Sequence, residues 1–143
     1  MVTNKDLKFL NVARSISKLS DFKQTKLGCC IVYKGNILSV GANGEKTSPF
    51  QKKFNVYRNF ENTDSVIDKI HAEISALSKL PYFVYENKFD LRKATLYVYR
   101  EHKNTHTYAC ALPCAACNAA ILESGIGRVV STIEDGIKEI KLG

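Results

Sequence analysis

Two short runs, far apart in the chain, constrain it more than any other feature: His71-Ala72-Glu73 and Pro113-Cys114-Ala115-Ala116-Cys117. The first sits in the apolar-periodic stretch Lys69 to Leu77, which reads as a helix. The second places two thiols three apart at a predicted helix start, so that both side chains share one face. A helix N-terminus favours thiolate, and thiolate is the form that binds metal. Two thiolates and one imidazole give zinc three protein ligands and leave a fourth position open to water, as in a catalytic rather than a structural centre. Bound zinc brings the pKa of such a water to near neutrality. Glu73 is placed in sequence to shuttle protons beside it. The two halves, each on its own predicted helix, must then meet in the fold.

Taken singly, each run is weak. His-Ala-Glu alone is most simply a solvated helix face, and Cys-x-x-Cys alone serves redox chemistry or half a structural zinc knot. A structural zinc would want a fourth Cys or His close by. Cys110 is the nearest further thiol, but it lies on the other side of Pro113 and reads as a strand residue, buried or near the site. Cys29 and Cys30 fall in a predicted core strand, where thiols behave as small hydrophobes. A redox pair would leave His71 and Glu73 unexplained.

With 143 residues and 45% hydrophobic content, the chain suits one domain, 1–143, with a real core. The N-terminus is polar and mixed in charge, without the pattern of a secretory signal, and no run is long enough to span a membrane. These features predict a soluble, cytoplasmic protein, and its five cysteines then read as reduced, metal-bound or buried rather than bridged. The formal charge of +7 suits phosphate-bearing partners, or equally a merely soluble basic protein.

Thr3 or Asn4 can cap a first helix, along which Leu7, Leu10, Ala13, Ile16 and Leu19 recur at helical spacing. Two β-rich runs flank Lys34-Gly35-Asn36 and predict a hairpin. Residues 44 to 64 lack clean periodicity and read as a long loop. A helix is expected from about Ser65 until Pro81. Ala94 to Arg100 reads as a strand, Glu101 to His106 as a polar turn, and Thr107 to Leu112 as a returning strand. Pro113 suits the first turn of the next helix, which Gly125 stops. A strand over Gly127 to Ile133 follows, and the tail reads as a short helix or a loose end. The order of elements predicts an α/β domain, one sheet flanked by helices.

Over most of its length the chain resembles the zinc-dependent cytidine and deoxycytidylate deaminase superfamily. The stretches "GCCIVYKGNILSVGANGEK", "HAEISAL", "ATLYVYR" and "PCAACNAAILESGIGRVVST" carry the resemblance, and they fall in the family's order. The motif pair H-x-E and P-C-x-x-C is the signature of zinc nucleobase deaminases. The resemblance implies a three-layer α/β/α domain with a central mixed five-stranded sheet. It implies that His71, Cys114 and Cys117 bind zinc and that Glu73 is the general acid/base. It also implies that Asn43 hydrogen-bonds base and sugar, and that the backbone of Ala72 and the carbonyl of Leu112 read the pyrimidine edge. Asn43 before Gly44 equally suits a turn. The family's small members are usually oligomers, so a homo-oligomer is expected.

A His at the first ligand position resembles the deoxycytidylate, tRNA adenosine and polynucleotide branches. The inserted residues 101–112 are more like the nucleoside enzymes. Lys46, Lys52, Lys53 and Arg58 cluster after Asn43, where a 5′-phosphate or a strand backbone would lie; Lys46 and Arg58 are the preferred phosphate ligands. Phe50, Phe54, Tyr57 and Phe60 are interleaved with them, either to stack bases or to pack the loop. The expected reaction is hydrolytic deamination of cytosine to uracil. A small-molecule substrate, deoxycytidylate, is preferred; the alternatives are cytosine in single-stranded DNA or RNA, and free cytidine or deoxycytidine. From another class, the rival is a non-catalytic zinc-stabilised binding module, which would have no need of Glu73.

Overall fold

In the computed structural model, which describes residues 2–58, 69–80, 84 and 90–142, five strands form one mixed sheet. β1 (Leu27–Tyr33) and β2 (Asn36–Ala42) make the expected hairpin. Its turn residues Lys34 and Gly35 both have positive φ, 49° and 80°, the turn whose twist matches paired strands. β3 (Ala94–Arg100) runs antiparallel to β1, and β4 (Arg128–Ile133) runs parallel to β3. β5 (Gly136–Lys141) completes the order β2-β1-β3-β4-β5.

The tail is therefore a strand, not the expected short helix or loose end. Ile133 pairs with Gly136, so Glu134-Asp135 is a two-residue hairpin loop. Lys138 and Lys141 are exposed on this edge strand, where charge discourages further pairing.

Among the described residues, four α-helices flank the sheet. α1 (Asn4–Ser17) opens with a capping box between Thr3 and Asp6. Its buried face is Asp6, Phe9, Leu10, Ala13 and Ser17: Leu10 and Ala13 of the predicted stripe are buried, but Leu7 is 44% exposed, and Leu19, 73% exposed, lies past the helix end. A buried ion pair sets this rotation. The Asp6 carboxylate accepts hydrogen bonds from both terminal nitrogens of Arg128 (2.8 and 2.7 Å) and from the Tyr97 hydroxyl (2.6 Å). Such a bidentate, charge-assisted contact outweighs a leucine or two left in water.

α2 (Pro49–Phe54), continued by a 3₁₀ turn over Asn55–Arg58, replaces part of the expected long loop. Ser48 caps it and Pro49 stands at its first position. Residues 59 to 68, with Phe60 and the predicted helix start near Ser65, lie outside the described residues. α3 (Ala72–Ser78) and α4 (Ala115–Ser124) are the two motif helices.

Alternation along the strands sorts the layers. Cys30, Val32, Tyr97, Tyr99 and Val130 pack towards α1. Cys29, Ile31, Leu96, Val98 and Val129 share the core of α2, α3 and α4. Cys29 and Cys30 are both fully buried, as small core residues. Glu101 bridges to Tyr108 across the expected polar turn, but no strand follows it. Instead, Ala111 N–H donates to Thr132 O (2.9 Å), and the chain passes the end of β4 into α4. No helix among the described residues is long and apolar enough to cross a membrane.

α3 lies directly on β2. A Cβ added at Gly41 would stand 2.5 Å from the carbonyl oxygen of Ala72 and 2.8 Å from the Ser75 Cβ. Ser39 Oγ donates to Ala76 O across the same contact (2.7 Å). Gly41→Ala is therefore expected to push α3 off the sheet. The predicted cost is about 1–3 kcal/mol in urea unfolding, with weaker retention of metal than wild type; unchanged stability would contradict this packing.

Candidate active site

His71 and Cys114 hold equivalent places. Each is the residue just before a helix, α3 or α4, with extended backbone and no side-chain capping bond. A residue at that position usually spends its side chain on the helix's free N–H groups; here both side chains are left for one another. Cys117 stands in the first turn of α4. His71 Nδ1 lies 3.2 Å from Cys117 Sγ and 3.5 Å from Cys114 Sγ. All three donor atoms fall within 4.8 Å of one another. Ordinary zinc bond lengths at a tetrahedral angle put nitrogen and sulfur ligands about 3.6 Å apart, so the donor set fits zinc in both chemistry and spacing.

The sequence placed His71 and Pro113 inside helices, and the structure places both just outside. The cause for α3 is upstream pairing. Lys69 bridges to Thr47, Ile70 N–H donates to Lys46 O (2.9 Å), and Gly44 N–H donates to Ile70 O (3.0 Å). The backbone is committed to β pairing as far as Ile70, so the helix starts only after His71. The His71 N–H is then held by the side-chain oxygen of Gln51 (3.0 Å), a fully buried residue of α2. At the other helix, Pro113 precedes Cys114, and Gly125, with φ 87°, ends α4.

Glu73 is buried, 3% exposed, yet lines the same cavity as His71 and Cys114. Burial raises its carboxyl pKa above the usual range, and the neighbouring His71 acts in the opposite direction. The Cys114 thiol is pulled down to about 3, chiefly by the hydrogen bond from Cys117 and, with burial opposing, by His71. Cys117 is pushed up by the same bond and by burial.

The cavity measures about 330 Å³, within the small-ligand range. It opens where β1 begins and β2 and β3 end, with Leu27, Asn43 and Arg100 on its wall. Ala72 and Leu112 line it, as the resemblance implies. Asn43 lines it too, but its amide also braces the chain: Leu27 N–H donates to Oδ1 and Nδ2 donates to Thr25 O, both at 2.9 Å. One amide proton and one lone pair remain for a ligand. Cys110 lines the cavity half-buried, outside any named strand and outside the donor set.

Lys46 is exposed and does not line the cavity, and the Arg58 side chain lies outside the described residues. Lys53 instead reaches Glu123 on α4 at 3.6 Å. Phe50 and Phe54 pack on each other, with ring centroids 5.2 Å apart, and Tyr57 stacks on Phe54; these rings fill the α2–α4 side and do not line the cavity. The wall residues that sequence reasoning missed are Phe22, Thr25, Lys69 and Arg100. Phe22 and Thr25 come from a segment without a motif, while Lys69 and Arg100 stand at the ends of motif stretches, and only the fold gathers the four. Gln51 was legible in principle, because Ser48-Pro49-Phe50-Gln51 has the spacing of a capping box.

The sequence model for the cytidine and deoxycytidylate deaminase zinc-binding region matches residues 3–133. A deoxycytidylate deaminase of Mycobacterium phage D29 is 31% identical over 131 residues, covering 85% of this chain and 89% of that protein. Among solved structures, the cytidine deaminase of Burkholderia pseudomallei superposes with a TM-score of 0.60 at 17% identity, over 94% of this chain and 91% of that one. The dCMP deaminase of cyanophage S-TIM5 gives 0.55 at 22% identity, over 87% and 79%. These two likenesses establish the fold.

Cys114→Ser/Cys117→Ser removes two of the three soft donors. Zinc content by elemental analysis should fall from about one per chain to near zero, because thiolates supply most of the binding free energy at such a centre. Full occupancy in that variant would contradict the donor set.

Proposed function

The chain belongs to the cytidine and deoxycytidylate deaminase family, and on that premise we propose that it hydrolyses deoxycytidylate to deoxyuridylate and ammonia. One observation carries the chemistry: the buried carboxyl of Glu73 shares a cavity with the His71, Cys114 and Cys117 donor set. A binding module would have no use for a buried acid beside its metal. The relative named deoxycytidylate deaminase supports the choice of substrate.

When bound, zinc supplies Lewis-acid activation of the water that the hydrolysis consumes. The remaining work falls to the chain's own residues. His71, Cys114 and Cys117 would hold the ion, and Glu73 would take the first proton of the attacking water. Glu73 passes that first proton to the ring nitrogen next to the amine-bearing carbon; as the carbon–nitrogen bond breaks it takes the second proton, from the new hydroxyl, and delivers it to the leaving amine, so that ammonia departs and a carbonyl remains. A carboxyl whose pKa is raised by burial suits both directions of transfer. Ala72 and Leu112 present backbone to the pyrimidine edge, and Asn43 offers its remaining amide proton to the nucleoside. Phe22, half-buried on the wall, bounds the base.

The 5′-phosphate is assigned to Arg100 rather than to Lys46 or Arg58. Of the two cations on the wall, Lys69 stands 3.6 Å from the Glu45 carboxylate. Arg100 makes no ion pair within 4 Å among the described residues, although its charge helps hold down the Glu134 carboxyl, and its Nη1 donates to Cys110 O (3.2 Å).

Glu73→Gln keeps the shape and removes the acid/base. It should retain zinc and lose turnover of dCMP by at least about a hundredfold, measured as dUMP formed. Wild-type kcat in that variant would rule out Glu73 as the proton carrier; failure of the wild-type protein to form dUMP would rule out the substrate.

A further inference from the structure

A second cavity, of about 440 Å³, adjoins the first and shares Thr25 and Arg100 with it. One wall comes from the segment between α1 and β1, the other from the turn after β3. Lys18, Lys23 and Lys26 stand on the first wall, and Arg100 and Lys103 on the second. Glu101 is the single carboxylate on the lining. It is already engaged by Arg14 (3.2 Å), the Tyr99 hydroxyl (2.8 Å) and His106 (3.1 Å). Lys26 is anchored by donating to Ser20 O (2.5 Å). Lys18, Lys23 and Lys103 have no carboxylate partner among the described residues.

Five cations around one cavity repel one another unless an anion lies among them. A single phosphate occupies two or three cations at most, and five converge here. Arg100 belongs to the linings of both cavities and so joins this cluster to the catalytic pocket.

The geometry points to a subsite for successive phosphate groups, so that a cytosine seated in the pocket can carry more than one phosphate, its chain of phosphates running past Arg100 between Lys23 and Lys103. This rests on the pocket's being a cytosine nucleotide site. The phosphates come either from a nucleoside 5′-triphosphate or from the backbone of a single strand, and the chemistry of recognition is common to both.

The test uses zinc-loaded wild-type protein and a Lys23→Ala/Lys103→Ala variant, neither residue belonging to the catalytic pocket. Dissociation constants are measured calorimetrically for dCMP, dCTP, inorganic tripolyphosphate and a cytosine-bearing octanucleotide, over a range of salt. Uracil formation is followed in parallel. The wild type should hold dCTP or the octanucleotide at least about tenfold more tightly than dCMP. The variant should lose that gain and leave dCMP binding unchanged. A gain confined to the octanucleotide, with a salt slope smaller by about 1.4 in the variant (two phosphate contacts at ~0.7 each), assigns the phosphates to a strand. A gain shared by dCTP and tripolyphosphate assigns them to a polyphosphate tail. Equal affinities for all the cytosine ligands, or an equal loss on dCMP in the variant, would overturn the subsite even if dUMP forms. Tripolyphosphate binding that the variant loses would uphold it even if no uracil forms, in which case only the deaminase reading fails.

Discussion

The site depends on one close contact, between the backbone of α3 and the bare Cα of Gly41 on β2. Helix and strand meet there with no side chain between them, and the Ser39 hydroxyl fixes the helix's inner carbonyl. That contact sets the height of α3 on the sheet, and so the position of His71, Ala72 and Glu73 at its start. From the other side, α4 is carried by the β3–α4–β4 crossover, whose strands pair in parallel. Parallel strands return their helix start to the same sheet edge, so the two N-termini converge at the carboxyl end of β3. The metal donors are near one another because two helices are packed, not because the residues are near in sequence.

The convergence also creates the electrostatics. Two helix N-termini favour negative charge in the space between them, which stabilises a thiolate at Cys114. The same space is dry enough to push the Glu73 carboxyl up. The donor set of two thiols and an imidazole, with its neighbouring buried acid, faces a cavity whose wall mixes apolar side chains such as Phe22, Leu27 and Leu112 with the polar Asn43 and Thr25. Farther out the wall turns basic. The molecule thus grades from a dry acid/base centre to a charged surface along one path.

Much of this was legible in the sequence, for physical reasons that differ from part to part. The β1–β2 hairpin, β3, β4 and the two motif runs follow from turn chemistry, β-branched composition and ligand spacing, all of which are local. The resemblance carried the layers and the strand count. The face of α1 was misread because Asp6 is buried against Arg128, a partner 122 residues away that no periodicity reveals. The tail was misread because Glu134-Asp135 was not taken as a hairpin loop. Lys46 and Arg58 were chosen for phosphate by their closeness to Asn43 in sequence. Lys46 is exposed and off the cavity wall, whereas Arg100 comes onto that wall from the end of β3, a placement that only the sheet order produces.

The most direct test of the account is X-ray absorption at the zinc edge of the protein purified with its metal. Two sulfur scatterers at about 2.3 Å and two nitrogen or oxygen scatterers at about 2.0 Å are predicted: Cys114, Cys117, His71 and one exchangeable water. A shell of four protein ligands, whether by a third sulfur from Cys110 or by any other residue, would make the centre a closed structural one and would contradict the account.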